Sequence, residues 1–180
     1  YHSELFPQLP SNGHFNERRT RLGPLIEQIR CWLTVQEGLL TTTDPVRLID
    51  SAPIFVATYG RGGDNQTLTG HEYFGVASSH GAKVFGLRLD ITTSHDQVID
   101  QWMLAPASYH DSTTMPALVE DQNDLLLIGD GAYHNPTVEP VLHHHHQIDV
   151  LAPPRQDSRL YAWSKAAIQT VARFRRPIES

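Results

Sequence analysis

The 180-residue sequence predicts an α/β fold in which helices flank a mixed β-sheet. Three segments rich in branched residues come first and indicate three successive strands, at residues 46–57, 83–93 and 97–107. Helical and strand patterns then alternate to the end of the chain, an order typical of α/β proteins. The length favours one main domain with a sizeable core and leaves room for a small appendage.

The first 44 residues predict a small helical segment that precedes this domain. Residues 1–13 contain prolines and turn-forming residues and indicate an extended lead-in. From Asn16 to about Glu37, apolar residues recur at helical spacing, and Gly23-Pro24 is a candidate break. Cys31 lies in this pattern, and we expect its thiol to be buried. We expect a stripe of apolar side chains to pack inward, formed by Leu22, Leu25, Ile26, Ile29 and Leu33.

Residues 45–180 account for the predicted sheet and its helices. A polar, Gly-rich loop follows the first strand at residues 58–72, and the short segment 93–96 indicates a hairpin. A helix over 111–121, capped by Asp111 or Ser112, comes next. The remaining predicted elements are a buried strand at 125–128, a helix from about 136 to 146, a strand before Pro153-Pro154 and a helix within 158–180.

The composition limits the classes of function. The net charge is −6, from 20 acidic and 14 basic residues, which argues against nonspecific coating of nucleic acid. It does not exclude a site in which carboxylates hold metal ions. The single cysteine excludes an internal disulfide. No segment is long and apolar enough to span a bilayer, and no signal-peptide pattern opens the chain, so we expect a cytoplasmic protein without membrane contact.

Three acidic residues stand out by their positions. Asp130 ends the buried strand at 125–128, where a charge is costly unless it is paired or bound to a metal. Asp50 lies in the first strand, and Glu179 lies near the end of the last helix. Each residue also has an ordinary interpretation: Asp50 as a turn cap, Asp130 as a turn residue and Glu179 as a surface residue.

Four segments of the chain, taken in order, resemble the DDE transposases of bacterial insertion sequences. They are LIDSAPI, HGAKVFGLRLDITTSHDQVIDQWMLAPASYHDS, LLLIGDGAYHNP and RFRRPIES. The first aspartate of that family matches Asp50 in an Asp-Ser-x-Pro-like strand. The second matches Asp130, and the Arg-x-x-x-Glu spacing matches Arg175 and Glu179. Two further motifs correspond to Gly81-x-Lys83 and His110-Asp111.

The resemblance implies an RNase H-like core that cuts and joins DNA strands at the ends of a mobile element. It implies that Asp50, Asp130 and Glu179 are catalytic and hold two Mg²⁺ or Mn²⁺ ions. The partners it implies are terminal inverted repeats and target DNA, bound by a homodimer that associates with the bacterial nucleoid. The DNA-binding residues we expect are Lys83, Arg175, Arg176, Arg18 and Arg19. For Arg88, beside the predicted second strand, a contact with DNA phosphate and a surface charge on an edge strand are equally open. The resemblance also implies that the small neighbours of Asp130 leave room for metals and DNA backbone.

The chain departs from the family pattern at several positions. Ala132 replaces a glycine, Ala172 replaces a tyrosine, and one residue follows Glu179. We therefore expect a catalytic domain truncated at its C-terminus, with little or no strand cleavage by this chain. The alternative is a noncatalytic transposase remnant that at most binds DNA.

Four consecutive histidines, His143–His146, invite interpretation as a metal site. Consecutive residues of a helix cannot all face one ion. We expect the run to lie at a helix end, where cationic imidazoles suit the helix dipole.

Overall fold

The computed structural model describes residues 11–36, 38, 40, 44–77, 81–154 and 163–179, and for residues 177 and 179 it describes the backbone alone. The chain divides into two compact units, residues 1–41 and 42–180. The first unit contains helix α1 (Asn12–Gln36). None of the described helices is long and apolar enough to cross a membrane.

The second unit is a mixed α/β structure built on a six-stranded sheet. Its strands lie in the order β2-β3-β1-β5-β6, and β4 also pairs with β3. The fold class predicted from the sequence is confirmed, and the arrangement is consistent with an RNase H-like fold. The elements are β1 (Val46–Ala57), β2 (Phe74–Ala77), β3 (Ala82–Thr93), β4 (Ile99–Pro106), α2 (Asp111–Leu118), β5 (Leu126–Ile128), α3 (Glu139–His146), β6 (Asp149–Leu151) and α4 (Lys165–Glu179).

Strand direction changes at the centre of the sheet. β1 pairs with β3 in antiparallel fashion, and β3 and β4 form the predicted hairpin. β1 pairs with β5 in parallel, as β5 does with β6. Because β5 is much shorter than β1, this parallel contact involves residues 46–48 of β1 alone. The rest of β1, including Asp50, continues beyond the end of β5.

The two faces of the sheet are buried in different cores. Ile49 and Leu127 pack with residues of α2 and α3 on one face. Leu48 and Ile128 pack with Val171 of α4 on the other. Side chains along a strand alternate between its two faces, so Asp50, two residues after Leu48, lies on the same face as Leu48. The Asp50 side chain therefore points toward α4.

Several elements differ from the sequence prediction. β2 was not predicted, because a strand of four residues beside a Gly-rich loop carries too little pattern. That loop contains two short 3₁₀ helices, at Tyr59–Asp64 and His71–Tyr73. α1 continues through Gly23-Pro24, since a proline removes one helical hydrogen bond without having to end the helix. His110, rather than Asp111 or Ser112, is the N-cap of α2.

The predicted burial of α1 is wrong. All five side chains of its apolar stripe are exposed, with exposed fractions from 40% at Leu33 to 59% at Ile26. Cys31 is also exposed. Within the described part of the first unit, α1 is the one helix and there is no strand. The stripe therefore has no second element of that unit on which to pack. Local interactions such as the Arg21–Glu17 pair, at 2.6 Å, accompany the helix instead.

The glycines on either side of Asp130 allow the backbone to pack closely against neighbouring residues. A Cβ on Gly129 would lie 2.8 Å from the Tyr133 ring and 2.9 Å from Cγ2 of Ile49. A Cβ on Gly131 would lie 2.9 Å from the carbonyl oxygen of Pro153. These two glycines therefore let the end of β5 lie against the core, and room for a metal beside Asp130 stays a prediction.

We predict that Gly129→Ala lowers the free energy of unfolding by about 1–3 kcal/mol, because the new methyl group overpacks a site bounded by buried side chains. Urea unfolding measures the change. Gly60→Ala is the matched control, since a Cβ at Gly60 meets nothing within 4 Å. Equal stability of the two variants would contradict this account of Gly129.

Candidate active site

A cleft of about 330 Å³ lies where β1 extends past the end of β5. Two of the predicted catalytic residues, Asp50 and Asp130, line it. Arg175 of α4 lines it as well. Residues separated by up to 125 positions in the chain thus meet at one place, as the resemblance implied for these three.

Asp50 reaches the cleft from the middle of β1. Its Oδ1 accepts a hydrogen bond of 2.9 Å from the backbone N–H of Ser51. The same oxygen lies 3.7 Å from Nη2 of Arg175, in an ion pair whose arginine side chain is 12% exposed. The carboxylate is therefore charge-compensated by α4, which packs on that face of the sheet.

Asp130 follows β5 by two residues. Its Oδ1 accepts a hydrogen bond of 2.8 Å from the backbone N–H of Ala132. This is the geometry of an aspartate-stabilised turn, so the interpretation of Asp130 as a turn residue is confirmed. The turn also directs Asp130 into the cleft, and the parallel register of β1 and β5 brings it alongside Asp50.

The third predicted carboxylate, Glu179, is the last residue of α4. Its side chain lies outside the described residues, so its role stays a prediction. α4 carries Arg175 four residues earlier, and residues at that spacing share one helical face.

Of the predicted DNA-binding residues in the second unit, Arg175 lines the cleft and Lys83 and Arg176 are not among its lining residues. Lys83 is exposed at the start of β3, with Nζ 5.4 Å from the centroid of the Tyr59 ring. Arg176 is exposed on α4, and Arg18 and Arg19 are exposed on α1 in the first unit. Their roles in DNA binding stay predictions.

Two further charged residues line the cleft, Arg88, for which the sequence left a phosphate contact and a surface charge equally open, and Asp111, which was outside the predicted catalytic set. Arg88 of β3 forms an ion pair with Asp111, the first residue of α2, and both side chains are nearly buried. The hydroxyl of Ser51 donates a hydrogen bond of 2.5 Å to the same Asp111 oxygen that Arg88 contacts. The His110-Asp111 motif was a signal for this position, but nothing in the sequence links it to Arg88.

Asp90 lies beneath the cleft, opposite Ser51 in the register of β1 and β3. It is fully buried, and neither carboxylate oxygen makes a well-formed hydrogen bond with the described residues. Burial raises the pKa of Asp90 to about 6, with the Asp111 carboxylate adding to the effect and Arg88 opposing it. Burial likewise raises the pKa of the Tyr133 hydroxyl above its usual range.

The carboxylates suit a hard divalent cation. Within the described ranges, no three His, Cys, Asp or Glu side chains lie close enough together to hold a metal ion. Mg²⁺ does not require such a set, because it is commonly bound by one or two carboxylates together with substrate phosphates. The donor oxygens of Asp50 and Asp130 fit that pattern.

The histidine run lies at the end of α3, as predicted. His143 pairs with Asp149 at 2.9 Å, and both side chains are largely exposed. This pair connects the last turn of α3 to β6 and lies apart from the residues that line the cleft.

Comparison with known proteins gives little. No protein-family model and no curated protein matches the sequence. Among solved structures, the chain is similar to the Mos1 transposase in its paired-end complex with the left transposon end, with 11% sequence identity and a TM-score of 0.34. The match covers 83% of this chain and 56% of that chain. At this level of similarity, function has to be inferred from the residues of the site.

We predict that Asp90→Asn stabilises the metal-free protein by roughly 2 kcal/mol at pH 8 and changes little at pH 4. The folded protein holds the Asp90 proton more tightly than the unfolded chain, whose pKa is near 3.8. The stability contributed by protonated Asp90 is therefore complete below about pH 4 and is lost as the pH rises through about 6. Asparagine stays neutral and avoids this loss.

Urea unfolding in EDTA across this pH range measures the effect. Asp96→Asn, at an exposed position in the β3–β4 hairpin, is the control and should follow the parent protein. Parallel pH profiles for Asp90→Asn and the parent would show that the Asp90 carboxyl titrates normally.

Proposed function

We propose that the chain is transposase-like and carries a site for metal-dependent cleavage and transfer of DNA strands. The observation that carries the proposal is the convergence of Asp50 and Asp130, from adjacent parallel strands, on one cleft that also contains arginine side chains. The order of sequence motifs that resemble DDE transposases supports it independently. An insertion-sequence origin and assembly as a homodimer on terminal repeats belong to the same proposal.

Asp50 and Asp130 would hold Mg²⁺ or Mn²⁺ between the end of β5 and the exposed part of β1. When bound, such ions activate a water molecule or a DNA 3′-hydroxyl and stabilise the leaving oxygen. The chain's own contribution is to orient the oxygen donors. The N–H groups of Ser51 and Ala132 each hold one carboxylate oxygen in place, which leaves the orientation of both aspartates defined before DNA arrives.

Arg175 would neutralise Asp50 in the absence of a cation and contact DNA phosphate in its presence. Its distance of 3.7 Å from Asp50 places a guanidinium within the same cleft. Glu179, one helical turn further on, is the proposed third carboxylate. This arrangement would make the last turns of α4 part of the site.

A noncatalytic DNA-binding chain is the second candidate. The observation that favours it is the presence of two arginines, Arg88 and Arg175, beside the aspartates in one cleft. In that case the arginines of the cleft would bind phosphate without turnover.

We expect Asp50→Asn and Asp130→Asn each to weaken Mn²⁺ binding at least about tenfold, because even residues that only orient a metal ligand contribute about 10- to 100-fold. Electron paramagnetic resonance titration of free Mn²⁺ measures binding to the 180-residue chain. Nicking of a supercoiled plasmid in Mn²⁺ that both variants lose supports the enzyme, and DNA binding by a parent chain that neither binds Mn²⁺ nor nicks the plasmid supports the noncatalytic chain.

The matched control is Asp124→Asn, which lies just before β5 on the same stretch of chain. Asp124 is exposed and has a positive φ of 57°, a conformation that asparagine tolerates well. Its Mn²⁺ affinity should equal that of the parent. If all three variants bind Mn²⁺ equally, the aspartate pair is not a metal site.

A further inference from the structure

We propose that Arg88 is a phosphate-binding residue of the cleft, which receives a backbone phosphate of DNA next to the aspartate pair. Asp111 and Ser51 act as its positioning residues. The inference rests on the proposed function and adds a residue to it, since the sequence left a phosphate contact and a surface charge equally open for Arg88 and the structure places it, nearly buried, in the cleft.

Arg88 lies in the interior of the sheet rather than on a solvated edge. In the register of β3 it faces Pro53 of β1 on one side and Ala105 of β4 on the other. Its side chain is 12% exposed, yet it lines the same cleft as Asp50 and Asp130. A permanent charge in such a place is costly to bury, so it requires a partner.

Asp111 is the partner found in the structure. Arg88 contacts Oδ1 of Asp111 through Nη1, and Ser51 donates its hydroxyl hydrogen to that same oxygen. The side chain of Asp111 is 8% exposed. One buried carboxylate oxygen thus holds the arginine of β3 against β1 and α2. This restricts the guanidinium to one orientation before a ligand binds.

The chemistry of the guanidinium matches a phosphodiester. It is planar, always charged and has five N–H donors, and it pairs with phosphate in a bidentate way. The contact with Asp111 takes place through one of its amino groups. Because little water reaches this side chain, its attraction for a phosphate is screened less than that of a surface lysine.

The two arginines of the cleft differ in whether their carboxylate partner is a proposed metal ligand. Arg175 pairs with Asp50, which is itself a proposed metal ligand. Arg88 pairs with Asp111, which is not. Occupation of Asp50 by a cation would therefore leave the orientation of Arg88 unchanged. Arg88 offers a fixed phosphate contact in both the metal-free and the metal-bound protein.

The test is the salt dependence of DNA binding by the 180-residue chain in EDTA, measured by fluorescence anisotropy with a short labelled duplex between about 50 and 200 mM KCl. Arg88→Gln should reduce the slope of log K against log [salt] by about 0.9, which corresponds to the loss of one phosphate contact. Arg88→Lys keeps the charge and should restore the slope, with weaker binding than the parent. Mn²⁺ affinity should stay at the parent value in both variants.

The chain offers a matched control in Arg47. Arg47 forms an equally buried ion pair with Asp100, at 2.7 Å and with exposed fractions of 7% and 11%, and does not line the cleft. Arg47→Gln should destabilise the protein to thermal unfolding as Arg88→Gln does, but should keep the parent slope.

Each of the following outcomes would overturn the inference. An Arg88→Gln slope equal to that of the parent would show that Arg88 does not meet phosphate. An equal loss of slope in Arg47→Gln would show that the effect is structural. Loss of Mn²⁺ binding by Asp50→Asn together with an unchanged Arg88→Gln slope would leave the proposed function standing and remove this inference alone. Failure of the parent chain to bind DNA at all would overturn both.

Discussion

A short parallel contact between β1 and β5 determines where the site forms. Only residues 46–48 and 126–128 pair there, yet this register brings Asp50 and Asp130 to one cleft. A slip of one residue would turn the side chains of one strand to the opposite face of the sheet. Burial opposes the slip from both sides, because the branched side chains of each strand enter separate cores on the two faces.

The cleft tolerates several carboxylates because each has compensation built into the protein. Asp50 pairs with Arg175 from α4, and Asp111 pairs with Arg88 from β3. Asp130 accepts a backbone N–H from its own turn. These contacts come from different elements, so the acidic residues also tie α2 and α4 to the sheet.

The parts predicted from sequence were those encoded by local pattern. Segments rich in branched residues predicted the central strands, and the carboxylate at the end of a buried strand singled out Asp130. β2 was not predicted, because its four residues carry too little pattern. The pairing of Arg88 with Asp111 was not predicted for another reason: 23 residues separate them, and they become neighbours only when α2 packs on the sheet. The exposed stripe of α1 shows that helical spacing predicts a helix without predicting its partner.

The ion pair between Arg175 and Asp50 has a thermodynamic consequence. A cation at the proposed site would compete with the guanidinium for the same Asp50 oxygen, so cation binding and this contact of α4 would be linked equilibria. Linkage is reciprocal: a partner that strengthens the contact between α4 and Asp50 would weaken cation binding, and a bound cation would weaken the contact. Val171 one turn before Arg175 and Ile178 three residues after it pack on the same core. The helix therefore keeps apolar contacts on both sides of the residue that responds to the cation.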